Sequence, residues 1–152
     1  MLSKFMGGSD RPQHLLLNRI VAVIITAADI ALTQNPVGLI TGLACLLMEW
    51  WATPDRDIEH KRGQRFGHRW WLIYEWFIPN HRHPLSHSLL LGLPLRLLWG
   101  TWPLLLMYLS QDPLWEILQT PWMVRVLLGA IASDCCHYAL DGYWPHQMLL
   151  GK

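Results

Sequence analysis

The sequence predicts an all-α protein: an integral membrane bundle of about four helices, with a polar face at its cytoplasmic side. Three observations predict it. Hydrophobic residues make up 52% of the 152 and charged residues 15%, whereas about a quarter of a soluble domain is charged. Four apolar segments are separated by proline-containing breaks, and proline ends helices because it lacks the N–H and clashes with the preceding turn. Lysine and arginine gather on one set of connections and are missing from another, the asymmetry that orients membrane helices.

In chain order, residues 1–13 are polar and glycine-containing, a flexible tail. The first helix covers 15–33; it begins too late, and carries Arg19 and Asp29, for a cleaved signal peptide. Asn35-Pro36 ends it. The second helix, 37–52, closes at Thr53-Pro54. Residues 54–83 form a polar connection, with a tryptophan pattern at 70–76 that fits a short amphipathic helix. The third apolar run, 85–109, is the longest; His87 and Arg96 are its only ionisable interruptions of that kind, and Pro94 and Pro103 lie within it. Gln111-Asp112-Pro113 turns the chain, a short amphipathic piece follows, and the fourth helix spans 122–141. No repeat divides the chain, which reads as one membrane domain over 1–152.

Length alone does not separate a membrane bundle from a soluble one. A spanning helix needs about 20 apolar residues, with about 17 as the short limit, and only the third segment meets this comfortably. A mean hydropathy of +0.19 leaves a soluble, Trp-rich helical domain as the competing reading. The cationic residues favour the membrane. Arg56, Lys61, Arg62, Arg65, Arg69 and Arg82 lie in the 54–83 connection, Lys4, Arg11 and Arg19 at or before the first helix, and none lies in 110–121. With four spans, the N-terminus, the 54–83 connection and the C-terminus share the cytoplasmic side. Trp50, Trp51, Trp70, Trp71, Trp76, Trp115 and Trp122 fall near span ends, where interfacial belts form. A net charge of +1 argues against a general nucleic-acid binder. Three cysteines, two of them adjacent, make no disulfide framework.

Chemistry-bearing residues sit at the helix ends. His81-Arg82-His83-Pro84-Leu85-Ser86-His87-Ser88 packs three imidazoles into seven residues at the border of the third run; neutral imidazole is the commonest metal ligand, and a solvated polar loop is the alternative. Asp55 and Asp57 flank Arg56 directly after the second helix, where close carboxylates favour a cation, or where an ordinary helix-ending turn would also place aspartate. His137 and Asp141 are four apart and share a helix face, as metal ligands or as a mutual hydrogen bond. His14 opens the first helix. Four helix ends thereby bring histidine and aspartate to one membrane face.

The order Asp55-x-Asp57, His81-Arg82 with Ser86-His87-Ser88, then His137-x-x-x-Asp141 resembles a family of small bacterial membrane proteins described as metal-binding. It is also similar to the broader group of LexA-regulated, membrane-bound, metal-dependent hydrolases, whose pattern is PDxD, then HRxxxHS or a close variant, then HxxxD. The resemblance spans about residues 14–141 and is closest over ATPDRDIEHKRGQRFGHRWWLIYEWFIPNHRHPLSHS. It implies a bacterial inner-membrane location and the metal ligands His14, Asp55, Asp57, His81, His87, His137 and Asp141. It leaves out His83, Asp134 and the cysteines. Arg56 departs from the pattern, which has an apolar residue between the aspartates.

Mixed imidazole and carboxylate ligands suit a divalent metal such as Zn or Mn, and so many ligands leave room for one or two ions. A two-metal site can clamp both oxygens of a phosphoester displacement, and an arginine fork matches phosphate. The leading expectation is therefore a membrane-bound metal-dependent hydrolase acting on a phosphoester, a phospholipid among the candidates, with Arg82 and Asp57 as catalytic residues. Its partners are the lipid bilayer and that substrate. The alternative is a non-catalytic membrane protein whose metal ties helix ends together. A transporter ranks last, because Asp29 and Arg96 are the only clear ionisable candidates within the spans.

Overall fold

The computed structural model describes residues 11–55, 68–78, 80, 83–109, 116 and 119–151. Among them are six α-helices and no strand: α1 Arg11–Thr33, α2 Leu39–Trp51, α3 His68–Trp76, α4 Gly92–Leu109, α5 Pro121–Leu140 and α6 Pro145–Leu150. Helix α1 ends where Gln34 takes a left-handed φ of 52°. Asn35 then accepts the N–H of Val37 on its side-chain oxygen at 2.9 Å, and Pro36 opens a 3-10 turn, Pro36–Gly38, that reverses the chain into α2. Helices α1, α2 and α5 pack together, most extensively α2 on α5. Small residues permit the approach: a Cβ on Gly42 would lie 2.9 Å from the Ala22 carbonyl oxygen, and one on Gly129 would lie 2.8 Å from Ala44 Cβ.

The third apolar run becomes helical later than its sequence predicts. Residues 84–91 are turns, because the Ser88 hydroxyl accepts the N–H groups of Leu91 and Gly92, both at 3.1 Å, and caps α4 there. Among the described residues two helices are long and apolar enough to cross a membrane, Gln13–Thr33 within α1 and Pro121–Leu140, while Pro36–Trp51 is apolar but shorter. Their outer faces are apolar: Val23 is 69% and Leu32 84% exposed, and Leu43, Leu47, Leu128 and Ile131 are exposed as well.

Beside these helices, α3 delivers Trp71 and Tyr74 into a core with Met48, Ala52, Ile78, Leu93 and Ala130. Trp71 is thus no member of an interfacial belt. It is fully buried, edge-on to Tyr74 at 5.3 Å and to Trp51 at 5.9 Å, whereas Trp50 and Trp76 are exposed. Trp70 and Trp99 exchange indole N–H bonds with each other's carbonyls at 3.1 and 3.3 Å, holding α3 on α4. Trp115 lies outside the described residues.

Helix α6 is an addition to the four-helix outline. The carbonyls of Met148 and Leu149 accept from Leu89 and Leu90 at 2.8 and 3.3 Å, so the end of the chain lies along the turns that follow His87. Gly151 closes α6 with φ 69°, and a Cβ there would lie 2.7 Å from the His87 carbonyl oxygen.

Candidate metal centre

The ends of α1, α2, α4 and α5 that carry histidine and aspartate meet. His137 is in the last turn of α5 and Asp141 caps its C-terminus, which sets both on one face. Pro54 follows the end of α2 and Asp55 comes next, folded back and buried. His87 sits in the turns ahead of α4, with Ser86 Oγ 2.9 Å from its Nδ1. One ligand atom from each of Asp55, His87, His137 and Asp141 lies within 4.8 Å of the others. His137 Nε2 is 3.4 Å from Asp141 Oδ2 and 3.6 Å from Asp55 Oδ1. His14 adjoins this group: its Nε2 is 3.7 Å from Asp141 Oδ1 and its ring centroid 4.4 Å from that of His137.

A metal ion fits this arrangement. Metal–ligand bonds of about 2.0–2.1 Å in a tetrahedron place neighbouring ligand atoms about 3.4 Å apart, the spacing found around His137 Nε2. That nitrogen is buried and makes no hydrogen bond among the described residues. Buried polar atoms are normally satisfied, so one that is not calls for an explanation such as an ion. Carboxylates drawn together away from water also repel one another, and a divalent cation offsets this.

Two polar layers support the group. In the first, Asn18 Nδ2 on α1 donates to Ser133 Oγ on α5 at 2.8 Å and reaches Glu49 Oε2 on α2 at 3.4 Å, while Cys45 Sγ donates to Asn18 Oδ1. In the second, the fully buried Arg96 guanidinium on α4 pairs with Asp134 on α5. Its Nη1 also donates to the Ala52 carbonyl at 2.8 Å, just ahead of Asp55, and Nη2 donates to Tyr138 Oη at 3.3 Å. Tyr138 Oη in turn lies 3.3 Å from Asp134 Oδ2 and 3.5 Å from the Ser86 carbonyl oxygen, next to His87. The arginine cluster therefore steadies both non-helical segments that present site residues.

Sequence reasoning missed Asn18, Glu49, Thr53 and the Arg96–Asp134 pair. The available signal was a polar residue within an apolar helix, one turn from a candidate ligand: Asn18 from His14 and Ser133 from His137. His83 has a local job instead, its Nδ1 accepting the Leu85 N–H at 3.2 Å. Asp29 and Arg96, the two residues behind the transporter reading, are both in ion pairs, Asp29 with Arg125 at 3.1 Å. Arg56, Asp57, His81 and Arg82 lie outside the described residues.

No curated protein and no solved structure matches the chain. Residues 11–148, a stretch that includes every residue of the buried group, match one family model. The chain belongs to the family described as uncharacterized metal-binding protein, DUF2227.

Proposed function

We propose that the protein is a membrane-bound, metal-dependent hydrolase acting on a phosphoester, with a phospholipid head group as the substrate its location offers. The observation that carries this reading is the donor set. Two imidazoles and two carboxylates converge, while Cys45, Cys135 and Cys136 remain free thiols outside the group. Structural zinc sites favour cysteine and a closed shell, whereas hydrolytic sites use histidine and carboxylate and keep a position open. In this reading Asp55, His87, His137 and Asp141 hold a Zn or Mn ion, and His14, Asp57 and His81 complete the site or hold a second ion. An ion held there would supply a nucleophile from water at neutral pH and positive charge for the phosphoryl oxygens. Arg82 binds those oxygens through its planar fork, and Asp57 is the second catalytic residue. The likeness to the LexA-regulated membrane hydrolases supports the same assignment.

The membrane part of the proposal rests on the two long apolar helices, their exposed apolar faces and the lysine and arginine asymmetry. We place four spans in a bacterial inner membrane, with both termini and the 54–83 connection in the cytoplasm. Reporter fusions within 60–80 and 110–120 should report opposite sides; the same side for both would overturn this topology.

One observation favours the alternative, a non-catalytic metal that ties helix ends together: His87 is 0%, His137 2% and Asp55 5% exposed. Metal analysis of the purified protein, followed by hydrolysis assays on phosphoesters and phospholipid vesicles, separates the two. Chelator-sensitive turnover that Arg82→Ala abolishes with metal retained supports the enzyme. A metal-loaded protein that hydrolyses nothing, and whose melting temperature falls on chelation, supports the scaffold.

A further inference from the structure

We infer that Glu49 is the carboxylate that orients His137, its charge holding the proton at Nδ1 so that Nε2 presents its lone pair to an ion. The two nitrogens of this ring look into different surroundings. Nε2 faces Asp141 Oδ2 and Asp55 Oδ1. Nδ1 faces Glu49 Oε2 at 3.8 Å and Thr53 Oγ1 at 3.4 Å. A neutral imidazole has one N–H and one lone pair, so a lone pair at Nε2 puts the proton at Nδ1, on the side of these two oxygens. Metal-ligating histidines almost always donate their second nitrogen to a carboxylate, carbonyl or water, which fixes the tautomer and raises the basicity of the ligating nitrogen.

Glu49 is held in this position rather than inside the group. The oxygen that faces Nδ1, Oε2, is also the one that Asn18 Nδ2 reaches at 3.4 Å, and Asn18 is itself anchored to Ser133 at 2.8 Å. The carboxylate is therefore steadied from α1 and α5 while it projects from α2. A separation of 3.8 Å is a charge contact, longer than a hydrogen bond, and Thr53 Oγ1 shares the same nitrogen at a shorter distance. Glu49 is thus a positioning residue, and Thr53 its partner in setting the ring.

This inference rests on His137 being a ligand, and it holds whether or not the protein hydrolyses a phosphoester. The test is Co²⁺ and Zn²⁺ affinity, by competition with a chelator, in the full chain carrying Glu49→Gln, Glu49→Ala or His137→Ala. Glu49→Gln should weaken binding by about 10- to 100-fold, leaving the melting temperature of the metal-free protein and the visible spectrum of the Co²⁺ form in place. Glutamine can keep the contact with Asn18, so a residue needed only for packing would show no loss. Unchanged affinity in Glu49→Gln, with His137→Ala impaired, overturns the role of Glu49 alone; unchanged affinity in His137→Ala overturns the ligand assignment beneath it. A shifted Co²⁺ spectrum in Glu49→Gln makes Glu49 a ligand and also overturns the inference. If the Glu49 variants do not fold, ¹⁵N-histidine spectra of the Zn²⁺-loaded wild type decide: protonated Nδ1 on His137 supports the proposal, and protonated Nε2 overturns it.

Discussion

Asp134, inside α5, meets a guanidinium, whereas Asp141, at the C-terminal cap of the same helix, meets the imidazoles of His14 and His137. Both acids are largely withdrawn from water, and both lie where α5 packs against its neighbours. Arginine stays charged and offers only N–H donors, so the Arg96–Asp134 cluster closes its charge within the protein. Imidazole keeps a lone pair, so the cluster around Asp141 can take a cation from outside. Residue type, more than position or burial, separates a brace from a centre able to do chemistry.

The largest effect should come from breaking the closed cluster. Arg96→Met leaves Asp134 buried without its guanidinium and should cost about 3–5 kcal/mol of stability, read by chemical unfolding. The loss should be of similar size with and without chelator. Arg96→Met combined with Asp134→Leu should recover a large part, because apolar side chains replace buried ion pairs well. A loss seen only in the metal-loaded protein would merge the two clusters into one and end the distinction.

Breaking the open cluster should act through the ion. His137→Ala should weaken metal binding by more than about 100-fold, beyond the range of residues that act on a ligand indirectly. For a site filled at 100 times its dissociation constant, chelating the wild type should remove about 2.7 kcal/mol, whereas the variant should show almost no response to chelator. A wild-type melting temperature indifferent to chelator would leave the cluster as a set of hydrogen-bonded histidines.

The smallest effect sharpens the boundary of the site. His83→Ala removes an imidazole four residues from His87 whose Nδ1 accepts the Leu85 N–H in the turn. Its metal affinity should stay within about twofold, with a stability change of about 0.5–1.5 kcal/mol for the lost hydrogen bond. If His83→Ala strips the ion while His87→Ala does not, the register of the cluster is wrong.

The gathering of Asp55, His87, His137 and Asp141 was legible because each stands at a helix end, and alternating helices bring alternate ends together. The four apolar segments were legible from the proline-containing breaks between them. The layers beneath the site were not. Asn18, Glu49 and Ser133 are isolated polar residues in apolar helices, and they become a network only when three helices pack at a set rotation. Arg96 and Asp134 are 38 positions apart, and no local pattern pairs them. The late start of α4 rests on the Ser88 hydroxyl and on the bonds that Leu89 and Leu90 make to α6, partners that the apolar run around them concealed. Trp71 resembled its neighbours in sequence, and only the fold of α3 separates it from them.

The seating of Gly151 under His87 has a practical reach. A methyl group there would press on the carbonyl of a candidate ligand's own backbone at 2.7 Å, from a backbone angle that side chains rarely adopt. In a saturation screen scored by metal retention, position 151 should therefore stand out beside the histidines and aspartates, although it contributes no donor atom. Such a screen would trace a mechanical lever running from the last helix to the ion, one that no list of coordinating side chains contains.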